Sequence, residues 1–178
     1  DEHRRQRGDR DQGEAGRDRA TALGDMLFST AFRILVDGGD VKAVAEISDT
    51  AVDLARGELM QRRGAFNTSL EETEYLDRCR LKTARLFEAA CVLGRDSVGG
   101  EDSDVVALFG HRIGLAFQML DDVLDIAGPV ERTGKARGTD LLDGTVTLPF
   151  IEAAKVDTEL RGYDLASLDE TTAEALCD

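Results

Sequence analysis

Gly110 to Phe150 reads GHRIGLAFQMLDDVLDIAGPVERTGKARGTDLLDGTVTLPF, and this stretch decides how the rest of the chain is read. Within it Gln118, Asp121, Asp122 and Asp125 fall at i, i+3, i+4 and i+7, a spacing that gathers side chains on one side of a helix. Val105, Phe109, Ile113, Ala116, Phe117, Leu120 and Leu124 take the opposite side and are expected to face the core. Like charges one turn apart destabilise a helix by about 0.2–0.5 kcal/mol, unless a divalent cation or a cationic partner sits among them. Mg²⁺ suits such a face, since it takes a few carboxylates and fills its other positions with water and substrate phosphate. Solvated charges on an amphipathic helix are the competing reading for the three aspartates alone. The loop that follows, GKARGTDLLDG from Gly134 to Gly144, adds flexible backbone, Lys135 and Arg137 for anionic oxygen, and Asp140 for a metal or lysine contact. By itself the loop also reads as a polar connector. Helix and loop together, in this order, point to metal and phosphate.

Outward from this stretch the chain is helical. Thr21 to Val36 carries Leu23, Met26, Leu27, Ala31, Ile34 and Leu35 at three- and four-residue spacings, and Gly38-Gly39 ends that helix. Asp40 can cap the next, Val41 to Arg63, with Val44, Ile47, Ala51, Leu54, Ala55 and Leu59 on its buried side. Thr68-Ser69 with Glu71-Glu72 reads as a capping box opening a third helix, which runs to about Leu93 on a stripe of Leu76, Cys79, Ala84, Phe87, Ala90 and Cys91. A fourth helix starts at Asp102 or Ser103 and ends near Ile126. Only Thr145 to Leu148 looks extended, and Pro149 follows it. Helices joined by short polar loops predict an all-α antiparallel bundle, read as one domain over residues 1–178. The first nineteen residues hold no large apolar side chain and are expected to be flexible.

Composition narrows the function. Hydrophobic residues make up 42% of the 178, enough for a core. The 36 acidic and 22 basic residues leave a formal net charge of -14, which argues against nucleic acid and anionic membrane surfaces as partners. No apolar run approaches the roughly 18 residues of a membrane span, and the amino terminus carries no signal-peptide core. Cys79, Cys91 and Cys177 lack metal spacing, and their odd count favours reduced thiols in a cytoplasmic protein.

The ordered motifs resemble the trans-type polyprenyl diphosphate synthases. The second aspartate-rich motif of that family looks like Phe117-Gln118-Met119-Leu120-Asp121-Asp122-Val123-Leu124-Asp125, and its GKxxGxDLxxGKxTLP segment looks like Gly134-Lys135 through Pro149. Gly24-Asp25-Met26-Leu27 with Ala31-Phe32, Gly57-Glu58 with Gln61, and Lys82-Thr83-Ala84 with Leu86-Phe87 resemble further family landmarks in order. DEHRRQRG, Asp1 to Gly8, is similar to the first motif, DDxxDxxxxRRG, from its last aspartate onward. On that alignment the chain reads as a fragment, short of two upstream aspartates and of carboxy-terminal sequence. Gln6 stands where the family has the first arginine of RRG, and Thr145 where it has a lysine; the residues after Gly8 lack the usual Pro-Thr-(Ile/Val)-His run.

The resemblance implies an isoprenoid-synthase bundle with a central active-site cavity and a Mg²⁺-dependent prenyl transfer. An allylic prenyl diphosphate ionises, isopentenyl diphosphate attacks, and a longer trans-polyprenyl diphosphate forms. Asp121, Asp122 and Asp125, with Asp1 opposite, would hold several Mg²⁺ ions. Arg7, Lys82 and Lys135 would hold diphosphate, supported by Thr83, Gln118 and Asp140. The family expectation is a homodimer. Two alternatives stay open: a non-catalytic subunit of a heteromeric synthase, towards which Gln6 and Thr145 lean, and a class I terpene cyclase on the same fold. Product length is not readable; the sequence style leans to the long-chain branch.

Overall fold

The computed structural model describes residues 2–100, 103–129 and 136–178, with backbone alone for residues 2–15, 17 and 103. Eight α-helices are described: α1 Glu2–Asp37, α2 Val41–Arg63, α3 Glu72–Cys79, α4 Arg85–Ser97, α5 Ser103–Ala127, α6 Thr139–Leu142, α7 Leu148–Val156 and α8 Glu170–Leu176. Arg80–Ala84 joins α3 to α4 as a π turn, and two 3₁₀ turns, Thr158–Gly162 and Leu165–Ser167, lie between α7 and α8. No strand occurs among the described residues. No helix among them is long and apolar enough to cross a membrane.

The chain forms two compact units, residues 1–46 and 47–178, with the boundary inside α2. In the first, α1 already begins at Glu2, well before the apolar spacing that starts at Thr21. Gly39, at φ 72°, ends it in the left-handed region that a glycine adopts without strain. Asp40 Oδ1 then accepts from the Ala43 N–H at 3.0 Å and caps α2, as expected.

The second unit carries the core. Tyr75, Cys79, Leu141, Val146, Phe150, Ile151, Ala154 and Leu165 are buried together, so α3 meets α6, the segment after it, and α7. The start of α3 differs from the expectation in register: Glu71, not Thr68 or Ser69, is the cap, and it exchanges side-chain-to-backbone bonds with Glu74. α5 runs antiparallel to α3 and α4, because Tyr75 pairs with Asp122, Thr83 with Gln118, and Glu88 with His111. Where α5 crosses the π turn and the start of α4, a Cβ built on Gly114 would lie 2.6 Å from the Ala84 Cα. The two backbones pass each other without room for a side chain.

The faces of two helices differ from the periodic reading. On α5 the side expected to face the core is exposed: Val105 by 67%, Phe109 by 61%, Ile113 by 45%, Phe117 by 55%, Leu120 by 63% and Leu124 by 51%. The inward side instead carries Gly110, Gly114, Leu115, Gln118 and Asp122. On α2 Leu59 and Ala55 are exposed, and Ala43, Thr50 and Gly57 are the buried positions. Apolar spacing reports a helix and its stripe, but tight glycine crossings decide which side is pressed against a neighbour.

Candidate active site

Four segments of the second unit converge on one cavity of about 220 Å³, lined by Gln61, Arg78, Cys79, Lys82, Gln118, Asp121, Asp122, Asp140 and Thr145. α3 and the π turn supply one wall, since Arg78, Cys79 and Lys82 lie at i, i+1 and i+4. In the π turn the Arg85 N–H donates to the Arg80 carbonyl, five residues back. Such single wide turns inside helices recur at functional sites. α5 supplies the facing wall, α2 contributes Gln61, and α6 with the turn after it contributes Asp140 and Thr145.

Asp122 is the most enclosed of the carboxylates, 2% exposed. Its Oδ2 accepts from the Tyr75 hydroxyl at 2.7 Å and its Oδ1 from Gln118 Nε2 at 2.8 Å. Gln118 Oε1 in turn accepts from the Thr83 hydroxyl at 2.6 Å. One chain of bonds therefore runs from Thr83 through Gln118 to Asp122 and on to Tyr75. Burial pushes the Asp122 carboxyl above its ordinary value, against the Tyr75 and Gln118 bonds and the Arg78 charge that favour ionisation. Burial, with the neighbouring Asp122, pushes the Tyr75 phenol upward, which keeps it a donor.

Asp121 is exposed at the cavity mouth. Asp125 lies one turn on, its Oδ2 accepting from the Asp140 N–H at 3.1 Å and its carbonyl from the Gly138 N–H at 3.0 Å. These bonds pin the loop, and with it the Asp140 carboxyl, beside α5. Burial first, then the charges of Asp125, Asp122 and Asp121, push Asp140 up to about 6. The three aspartates of the motif thus occupy three environments rather than one shared face: exposed, buried and loop-pinning.

On the cationic side, Lys82 Nζ donates to Gln61 Oε1 at 2.8 Å and pairs with Glu58 at 3.0 Å. Gln61 Nε2 donates to Thr145 Oγ1 at 3.2 Å, so the threonine that replaces the family lysine joins the same network. Arg137, expected to meet anionic oxygen, is instead tied to the Ile126 and Cys177 carbonyls and to Asp178. Asp1 and Lys135 lie outside the described residues, and Arg7 lies on α1 where the side chain is not described. Tyr75 and Arg78 escaped the sequence reading. A signal is present, because Tyr75, Arg78, Cys79 and Lys82 fall at i, i+3, i+4 and i+7, but the apolar stripe through Leu76 and Cys79 overlies it in the same segment.

Among the described residues no group of three or more carboxylate, imidazole or thiol side chains is set to hold a metal ion. The donor chemistry nonetheless fits Mg²⁺. Asp121, Asp122 and Asp140 offer hard oxygens to one cavity, and Asp140 is raised by burial first and then by the charges of Asp125, Asp122 and Asp121, an acidic setting that a cation would relieve. In the metal-free protein this burial and crowding have a measurable cost. The unfolded Asp140 keeps the ordinary value of 3.8 and the folded one titrates near 6, so across that window the folded state binds the extra proton. Stability from this group is therefore lost as pH rises through the window. Asp140→Asn is expected to match the wild type at about pH 4 and to exceed it at about pH 7, by on the order of 2 kcal/mol once solvent screening at this partly exposed group is allowed for. Thermal melts of both proteins across that range in a chelating buffer check this; parallel curves would contradict the raised Asp140.

The polyprenyl synthetase family profile matches residues 2–175. A heptaprenyl diphosphate synthase component 2 from Geobacillus stearothermophilus is 39% identical over 136 residues, covering 75% of this chain and 42% of the relative. A geranylgeranyl diphosphate synthase from Methanosarcina mazei is 38% identical over 170 residues, 90% of this chain and 52% of the relative. Among solved structures, a polyprenyl synthase from Caulobacter crescentus, complexed with calcium and isoprenyl diphosphate, superposes with a TM-score of 0.77 at 32% identity. That match covers 86% of this chain and 50% of the other. The chain thus spans about half the length of the relatives it matches. Helical fold, carboxylate cavity and profile agree, and the chain belongs to the polyprenyl synthetase family.

Proposed function

We propose that the cavity binds the diphosphate of an allylic prenyl substrate together with Mg²⁺ and condenses that substrate with isopentenyl diphosphate, giving a longer trans-polyprenyl diphosphate. The observation that carries this reading is the meeting of Lys82, Asp121, Asp122 and Asp140 in one cavity, at residues from three separate motifs. Asp121 and Asp122, with Asp125 and Asp140 beside them, would hold the metal, which supplies charge to the leaving diphosphate as the C–O bond ionises. Lys82 would exchange Glu58 and Gln61 for phosphate oxygen. Gln118, fixed between Thr83 and Asp122, keeps the Asp122 carboxylate aimed and presents its amide dipole to the cavity. The proton lost after carbon–carbon bond formation would pass to the diphosphate oxygens or to water.

The exposed apolar face of α5 supports a self-associated, homodimeric state, because contiguous apolar surface of this kind marks interfaces. A second reading, a subunit of a two-component synthase, is favoured by Thr145 in place of lysine and by relatives bearing the name component 2. The three free cysteines suit a cytoplasmic setting. Incubation with Mg²⁺, farnesyl diphosphate and isopentenyl diphosphate, with products resolved by mass, separates these readings. Extended prenyl diphosphates are expected from the chain alone. A folded chain that yields product only when a second synthase-like chain is added would replace the first reading with the second, and no product in either case would contradict both.

A further inference from the structure

Arg78 is only 6% exposed, yet it lines the cavity beside Asp121, Asp122 and Asp140. One of its terminal nitrogens donates to the Val146 carbonyl at 2.7 Å, and the guanidinium lies 5.4 Å from the centre of the Tyr75 ring. The carbonyl bond uses one of the five N–H donors of the guanidinium. A buried charge is costly unless opposite charge answers it. The nearby opposite charges are the cavity aspartates, and the Arg78 charge favours the ionised form of both Asp122 and Asp140. Lys82 is placed differently: its ammonium pairs with Glu58 at 3.0 Å, which does not line the cavity. Arg78 is therefore the lining cation whose charge is answered by the aspartates themselves.

We propose that Arg78 is a built-in counter-charge of the carboxylate cavity: it keeps divalent cations weakly bound until a diphosphate arrives, then serves that diphosphate as a cationic ligand. The inference rests on the reading of the cavity as a metal–diphosphate site. Before the diphosphate binds, a divalent ion entering among the aspartates is repelled by the fixed guanidinium. Once anionic oxygens enter, the same charge attracts them, and its planar fork suits two oxygens at once. The device makes metal and diphosphate bind as a pair rather than in succession.

The two halves of this role predict changes of opposite sign in one variant. In Arg78→Gln the amide can still donate to Val146 but the charge is gone. Mn²⁺ alone, followed by the loss of its free-ion paramagnetic resonance signal, is expected to bind about tenfold more tightly, the order set by one unit charge acting across a partly screened cavity. Inorganic pyrophosphate in the presence of saturating Mn²⁺, followed by calorimetry, is expected to bind about tenfold more weakly. Arg78→Lys keeps the charge and is expected to hold Mn²⁺ affinity within about threefold of the wild type. Circular dichroism melts establish that each variant is folded. A residue that merely anchors Val146 would weaken both ligands or neither in Arg78→Gln, and either result overturns the proposal while leaving the cavity reading intact. A wild-type chain that binds neither Mn²⁺ nor Mn²⁺–pyrophosphate overturns the cavity reading, and the role of Arg78 with it.

Discussion

Asp121→Ala is expected to lower Mg²⁺-dependent turnover about 10²–10³-fold, the range seen when one electrostatic contact to a developing charge is removed. Its melting temperature should stay near that of the wild type. Both halves follow from where the side chain sits. Asp121 lines the mouth of the cavity but is exposed, so truncation leaves no buried partner unsatisfied, and such surface changes stay within about 0.5 kcal/mol. Its charge also raises Asp140, so its loss relieves repulsion rather than breaking a bond. Asp122 makes the contrast. There the same substitution strands the Tyr75 hydroxyl and the Gln118 amide in a buried setting, at about 1–3 kcal/mol for each unsatisfied group. Loss of activity at Asp122 would therefore mix architecture with chemistry, and Asp121 isolates the chemistry. Calorimetry with inorganic pyrophosphate, with and without Mg²⁺, is the companion readout. Undiminished Mg²⁺-dependent binding in Asp121→Ala would remove this aspartate from the metal site.

Gly114→Val should be the most damaging substitution of a single helical glycine, at about 3 kcal/mol of stability. The first side-chain carbon would lie 2.6 Å from the Ala84 Cα and 3.1 Å from the Phe87 Cβ, so α5 must move off α4 or the chain must unfold. The shift would separate Gln118 from Thr83 and loosen Asp122 as well, so activity should fall beyond what stability alone explains. Gly94 is the internal control. It lies inside α4, where an added methyl would meet nothing within 4 Å, and Gly94→Ala is expected to add about 0.5–1 kcal/mol. Urea titrations of the three proteins measure both effects. A Gly114→Val protein as stable as the wild type would mean that the α4–α5 crossing is looser than described.

Much of this organisation was legible in the order of residues. α2 ends where the pattern placed it, Val41 to Arg63, and α5 closes one residue past the expected Ile126. Thr145 to Thr147 lie outside the helices as expected, but Leu148, also read as extended, opens α7 with the proline in its first turn. Faces were less legible than lengths. On α5 the apolar side is wide and continuous, so periodicity assigned it inward, but close packing against α4 is available only where glycine stands at Gly110 and Gly114. That crossing turns Gln118 and Asp122 inward and leaves Phe109 and Phe117 exposed. The same geometry explains the site. Motif spacing named Asp121, Asp122 and Asp140, and the family resemblance added Lys82, yet the residues that fix them, Tyr75 on Asp122 and Gln61 on Lys82, sit 47 and 21 positions away and form no local pattern with them. The π turn at Arg80–Ala84 has no signature in the sequence pattern, which runs on as one helical stripe.

The central claim is that one cavity of this chain holds both metal and diphosphate. A crystal structure of the chain grown with Mn²⁺ and a non-hydrolysable allylic diphosphate analogue, measured at the manganese edge, tests it most directly. The expected result is anomalous density between the diphosphate and the carboxylates of Asp121 and Asp122, with Lys82 turned from Glu58 towards phosphate oxygen. Manganese and diphosphate bound elsewhere, or an analogue lodged with Lys82 still on Glu58 and no metal at Asp121 or Asp122, would contradict it.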